Sequence, residues 1–171
     1  GINIGNASAT LSASGGSVTG AANVTAGSLN ATAQNEINLN TDIDSLQANS
    51  SAGNISILEI DALTVNGTGV SAAGNVDLDT GGNLTLTAGV SASGSSDVII
   101  DVSNAGSALI TSAGANITSG NGDITITADV LAIAGNIRSN GALLLQPLTA
   151  TSTIGLGGGA GTFELGDTEL A

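Results

Sequence analysis

The sequence predicts an all-β chain, a right-handed parallel β-helix of about 8 coils of roughly 21 residues, with residues 1-171 forming a single solenoid segment. Three observations carry that prediction. A phrase of Gly, then Asn or Asp, then an apolar–polar–apolar triplet recurs along the chain. Apolar residues alternate with polar ones in short runs bounded by Gly, Asn and Ser, the period of strands rather than helices. Phe163 is the only aromatic among 171 residues, so the interior must be built from Val, Ile, Leu and Ala. Such residues suit a thin, layered core assembled from stacked repeats.

The elements follow in chain order. The first 35 residues keep the texture in Ile2/Ile4, Ala9/Leu11, Val18, Val24 and Leu29/Ala31, with the register left open. The clear phrases are Gly53-Asn54-Ile55-Ser56-Ile57, Gly74-Asn75-Val76-Asp77-Leu78 and Gly122-Asp123-Ile124-Thr125-Ile126. Looser copies begin their triplets at Ile37, Val98, Leu143 and Phe163. Successive triplets are 18 to 26 residues apart, with a mean of 21, which is one coil per repeat.

Each coil holds further short strands. Leu63/Val65 and Val70 follow Ile55/Ile57, Leu84/Leu86 and Val90 follow Val76/Leu78, and Leu131/Ile133 and Ile137 follow Ile124/Ile126. Stacking places each inward residue on its equivalent one coil away, about 4.8 Å along the axis. Eight coils would then make a rod of roughly 40 Å. The corner glycines are expected to supply positive φ. The residues after them, Glu36, Asn54, Asn75, Asp97 and Asp123, form a vertical ladder in which Asn amides stack and Asp97 repels Asp123. The 26-residue coil between those two aspartates is expected to bulge there. Pro147 cannot donate to a ladder and belongs at a corner or strand end.

Composition excludes much chemistry. The chain has no His, Cys, Lys, Tyr or Trp, so it holds no Ser-His-Asp triad, thiol nucleophile, Schiff-base lysine or His/Cys metal site. A net charge of −13 with one basic residue, Arg138, argues against nucleic acid and anionic membranes, which need clustered cations. No apolar run is long enough to span a bilayer as a helix. Hydrophobic residues at 41% separate the chain from disordered Gly/Ser/Thr-rich sequences. The start at Gly1, without Met or a signal-peptide pattern, suggests a processed or excised part of a longer chain. The lack of cysteine fits export without disulfides.

The phrases Gly82-Asn83-Leu84-Thr85-Leu86-Thr87-Ala88 and Gly122-Asp123-Ile124-Thr125-Ile126-Thr127-Ala128 resemble the repeats of filamentous-haemagglutinin-like secreted bacterial exoproteins and adhesins. The stretch from Leu143 to Gly157 resembles other phrases of such chains. The resemblance implies a β-helical shaft that is secreted or displayed on the bacterial cell surface. The family's N-terminal Asn-Pro-Asn-Leu secretion motif and any C-terminal barrel are missing here.

Candidate chemistry rests on carboxylates. Asp42/Asp44, Asp77/Asp79 and Asp97/Asp101 are spaced for one face of a strand, and stacking sets Asp79 near Asp101. Asp77, Asp79 and Asp101 are the candidate Ca²⁺ ligands, weighed against an acidic face that merely keeps a rod soluble. Paired acids also suit glycoside hydrolysis, yet Arg138 and an inward Phe163 are the only cation and aromatic available. Thr85/Thr87 and Thr125/Thr127 fall on different faces, so they make no single ice-binding array. Eight Asn-x-Ser/Thr triplets, at Asn6, Asn23, Asn30, Asn49, Asn54, Asn66, Asn83 and Asn116, are glycosylation candidates that an Asn turn followed by an outward Ser or Thr also produces unaided. Ile99 and Leu144 occupy outward slots and, if joined in one patch, mark lateral self-association.

The expected function is a non-enzymatic stiff shaft or matrix element of a bacterial fibre or giant adhesin. Its partners are continuing coils of the same chain or like subunits, with a host or neighbouring-cell ligand unspecified. The alternatives are an adhesin domain using an acidic Ca²⁺-binding face and a degenerate carbohydrate-active β-helix.

Overall fold

A computed structural model describes residues 1–157 and 159–166. Strands make up the regular structure, and sixteen of them form one sheet wound upon itself. Every pairing among the described residues is parallel, as stacked coils require. The fold is a β-solenoid.

Three columns of strands run along it. The first face stacks Val18, Ile37, Ile55, Val76, Val98, Ile124 and Leu143 as one inward rung series. The second stacks Leu63, Leu84, Leu109 and Leu131, and the third stacks Ala48, Val70, Val90, Ile117 and Ile137. These are the strands the alternation predicts. The early chain, whose register the alternation leaves open, forms two long strands, Val18–Ala33 and Ile37–Ser50, that bend through successive faces. Ser8–Ala13 pairs along Ser28–Ala33. Inward aliphatics from Ile37 to Ile126 on the first face are essentially inaccessible to water.

The first-face column contains seven rungs, one fewer than the eight coils expected. Phe163 is not an eighth. It pairs with Ile154 in a separate two-stranded parallel sheet, Ile154–Leu156 with Phe163–Leu165, and that pair packs against Val130–Ile133. The cause lies in the sequence after Gln146. Pro147 has no N–H with which to continue a ladder, and Ile154 pairs in parallel with Phe163 only nine residues on, short of a full winding. Phe163 is nonetheless completely buried, so its inward slot is real while its place in the column is not.

The corner glycines act by close approach rather than by positive φ. Gly53, Gly74, Gly122 and Gly141 are absent from the positive-φ glycines, which are Gly5, Gly67, Gly69, Gly94, Gly106, Gly114 and Gly157. A Cβ on Gly74 would stand 2.9 Å from the Gly53 carbonyl carbon and would strike the Asn54 side chain. The backbone of one coil therefore rests on the backbone of the next at this corner.

The corner ladder is also built differently from an amide stack. Each Asx oxygen accepts the backbone N–H of the next rung: Asn54 from Asn75 at 2.9 Å, Asn75 from Asp97 at 3.0 Å, Asp97 from Asp123 at 2.8 Å and Asp123 from Ala142 at 2.7 Å. Asp97 thus faces a donor, which removes the expected reason for a bulge beside Asp123. Register is kept from Val98–Ile124 to Asp101–Thr127. The extra residues of the long coil are taken up in the segments 103–107 and 112–116, between its three strands. Glu36 stands apart, since its carboxylate accepts from the Asn38 amide and its N–H donates to Ser17.

The close approach at the corner gives a direct expectation. Gly74→Ala should destabilise the chain by about 1–3 kcal/mol, the usual cost of overpacking. Gly16→Ala, where an added Cβ meets nothing within 4 Å, should be near neutral. Urea unfolding of the two variants checks this, and equal effects would remove the steric account.

Candidate functional site

Alternation turns Asp77, Asp79 and Asp101 outward on the first face. Asp79 and Asp101 are direct neighbours in adjacent coils, and Asp77 lies two residues from Asp79 on the same side. Like charges placed opposite one another on neighbouring strands destabilise a sheet. Partial burial, then Asp101 and Asp79, raise the Asp77 pKa above its ordinary value of 3.8. The Ser103 hydroxyl donates to Asp79 and satisfies one of its oxygens.

The other predicted pairs separate. Asp97 is used in the corner ladder, so it does not join Asp101. Asp44 is exposed, whereas Asp42 is half-buried and belongs to a second acidic group with Glu59 and Asp61. The oxygens of Asp42, Glu59 and Asp61 lie within 4.8 Å of one another, the one such triple among the described residues. Thr25 donates its hydroxyl to Asp42 at 3.4 Å.

Glu59 is the residue the sequence reading passed over. It ends the strand Ile55–Glu59 with the same parity as the inward Ile55 and Ile57, so its side chain turns inward and is only 1% exposed. Above and below it in the column stand Thr41 and Thr80, both buried. Its carboxylate accepts the N–H of Ile43 at 3.2 Å and of Ile60 at 3.0 Å. Burial still outweighs these hydrogen bonds, and its pKa stands above the ordinary 4.5. An open groove of ≈ 340 Å³ connects the two acidic groups, with Glu59 and Asp79 in its lining beside Asn40, Leu58 and Ile60. Leu58 and Ile60 expose half or more of their surface along it.

The remaining candidates sort by column. Thr85 stands on the second face and Thr125 on the first, so the Thr pairs lie on different faces. Ile99 is half-buried and Leu144 is exposed, two rungs apart with Thr125 between them, so they do not form one patch. Among the Asn-x-Ser/Thr triplets, Asn54, Asn83 and Asn116 each offer the side-chain oxygen to a backbone N–H of the next coil. Those three have a structural duty of their own.

Asp129 shows the opposite electrostatics. It accepts the N–H of Gly106 at 2.8 Å and both the N–H and hydroxyl of Thr149 at 2.7 Å, which hold its carboxyl below its usual 3.8. It ties the return after Pro147 to the coil beneath.

These shifts have opposite signs with pH. Glu59 and Asp77 bind protons more tightly folded than unfolded, so the stability they contribute is full below the ordinary carboxylate values and is lost as pH rises through their folded pKa. Asp129 contributes above 3.8, and that contribution is lost as pH falls through its lowered pKa. Acidifying from neutral pH toward the ordinary carboxylate values should therefore raise Tm. Glu59→Gln should raise Tm at neutral pH and flatten the profile, with the gain vanishing below Glu59's ordinary 4.5. Thermal unfolding across pH measures both, and a neutral-pH loss in Glu59→Gln would contradict the desolvation account.

Compared with family models, curated proteins and solved structures, the chain matches none.

Proposed function

We propose that this chain is a non-enzymatic stiff shaft or matrix segment of a secreted or cell-surface bacterial fibre or giant adhesin, in line with the filamentous-haemagglutinin-like phrases of its repeats. The observation that carries the proposal is the unbroken interior: one aliphatic column sealed from Ile37 to Ile126, with parallel hydrogen bonding between every pair of adjacent coils. Such a body resists bending and local opening, because each coil is held on both sides. Its outward positions are mostly Ser, Thr, Asn and Asp, and its one aromatic ring is buried, leaving no ring to stack on a sugar. Further coils of the same kind, or like subunits, are the partners such a shaft requires. Antibody against this chain should label intact cells of the source bacterium, and protease treatment of those cells should release a resistant core of this region. Antigen confined to the cell interior would overturn the proposal.

A second reading is a ligand-contacting domain whose acidic side holds Ca²⁺. The convergence of Asp42, Glu59 and Asp61, with Glu59 and Asp79 lining one groove and Asp101 beside Asp79, favours it. Oxygen-rich carboxylate sets suit this hard cation. Calcium at 100 times its dissociation constant would add about 2.7 kcal/mol to the stability. Tm should then rise with added Ca²⁺ and lose that response in Asp61→Asn or in Asp79→Asn, according to which group binds. An unchanged Tm removes this reading.

A further inference from the structure

An asparagine followed by glycine is chemically labile, because no Cβ hinders the glycine nitrogen as it turns back on the asparagine side chain. The chain has three such pairs, Asn66-Gly67, Asn121-Gly122 and Asn140-Gly141. Each lies where the chain passes from one face to the next. Two of them are locked by contacts at their corner. The Asn140 side-chain amide donates to Asn121 Oδ1 at 3.2 Å, and both backbone N–H groups donate to the preceding coil, Asn121 to Gly94 and Asn140 to Gly120. Gly122 is buried, with its backbone against that of Ser96. The Gly141 N–H donates to the Ser139 hydroxyl at 2.8 Å, and that hydroxyl donates in turn to the Gly122 carbonyl.

Asn66-Gly67 stands outside that network. One coil crosses from the second face to the third with a single residue, Gln47, whereas the next uses four, residues 66–69. Those four pair with no residue of either neighbouring coil, so they form an excursion from the ladder. Gln47 supports the far side of it, its Oε1 accepting the Thr68 N–H at 3.2 Å and the Thr68 hydroxyl at 3.3 Å. Gly67 is exposed, and its φ of 58° suits only a residue without a Cβ. Asn54, Asn83 and Asn116 give their side-chain oxygens to the next coil, but among the described residues no side-chain hydrogen bond holds the Asn66 amide.

We infer that Asn66 is a site of self-modification, where the folded chain deamidates selectively with water as its only co-reactant. The Gly67 nitrogen bonds to Asn66 Cγ, the Cγ–Nδ2 bond breaks, and the Gly67 amide proton leaves with Nδ2 as ammonia. Water then opens the five-membered imide at either carbonyl and leaves aspartate or isoaspartate at position 66. Both reacting groups belong to adjacent residues, so ring closure is unimolecular, and it needs only a side chain free to reach the attacking geometry. Exposure of Gly67 lets hydroxide remove its N–H proton, which burial denies to Gly122. Isoaspartate lengthens the backbone by one methylene. A hydrogen-bonded ladder would lose register there, whereas the unpaired residues 66–69 absorb it. The product places a carboxylate on a corner whose neighbouring crossings, Gln47 and residues 87–89, carry no charge. This goes beyond the shaft proposal and does not rest on it.

The purified full chain, held folded in mildly alkaline buffer, should accumulate aspartate and isoaspartate at position 66, read by peptide mapping and by enzymatic isoaspartyl methylation. Conversion at Asn66 should outpace that at Asn121 and Asn140 by about tenfold or more, because only Asn66 can reach the attacking geometry. In urea the three rates should converge, since the corner contacts are gone. The converted chain should keep its β-sheet circular dichroism. Asn66→Ser should remove the isoaspartyl signal from the folded chain, and if that variant fails to fold, the site-resolved rates in the unaltered chain decide. Asn121 or Asn140 reacting as fast as Asn66 in the folded chain, Asn66 surviving there while the urea-unfolded chain reacts, or loss of the β-sheet spectrum on conversion would each overturn the inference. Any of these leaves the shaft proposal standing, whereas antigen confined to the cell interior would leave Asn66 chemistry untouched.

Discussion

Parallel hydrogen bonding between coils about 4.8 Å apart holds this molecule together and constrains everything else in it. At that spacing each side chain lies against its own equivalent in the coils above and below, so a residue must tolerate a near copy of itself on both sides. Aliphatic residues meet that condition well: Val76 rests between Ile55 and Val98, and Leu78 between Ile57 and Ile100. The one Phe lies outside that column, in the strand pair that follows Pro147.

Polar residues meet the same condition by turning toward backbone rather than toward each other. Had the corner ladder been a stack of side chains, Asp97 beside Asp123 would have been a defect. Because each Asx oxygen instead accepts the N–H of the next rung, Asp and Asn serve equally, and a charge is an advantage at a donor. Where like charge or burial outweighs the donors at hand, the constraint turns against the protein. Asp79 and Asp101 lie side by side on the first face, and Glu59 occupies a position that its neighbours Thr41 and Thr80 fill with uncharged hydroxyls. No buried polar side-chain atom among the described residues lacks a partner, so the cost in the acidic groove is one of charge and burial rather than of missing hydrogen bonds. Concentrated unfavourable charge of this kind is where proton or cation binding has most to offer.

The first and last described coils are covered differently. Asp129 and Phe163 secure a return across the C-terminal coil, one through hydrogen bonds to Gly106 and Thr149, the other through burial. The N-terminal coil has small neutral residues and an open hollow instead.

Much of this was legible in the residues themselves. Period-2 alternation and repeated Gly-Asx phrases determined that the chain forms short stacked strands, which residues point inward, and that Thr85 and Thr125 lie on different faces, because strand parity is a local property of the backbone. The same parity applied to Ile55, Ile57 and Glu59 determined that Glu59 points inward, although a lone acid at the end of an apolar run draws little notice. Other features depended on what one coil does to another. Gly74 is needed because the backbone at Gly53 comes close, Asp97 is content because the Asp123 N–H arrives beside it, and Asp42 meets Glu59 and Asp61 across a corner. None of these relations has a signature along the chain, since each joins residues about one winding apart or more, and the winding length varies from 18 to 26 residues. Only the tertiary structure, by setting the register of each coil on the next, decided them.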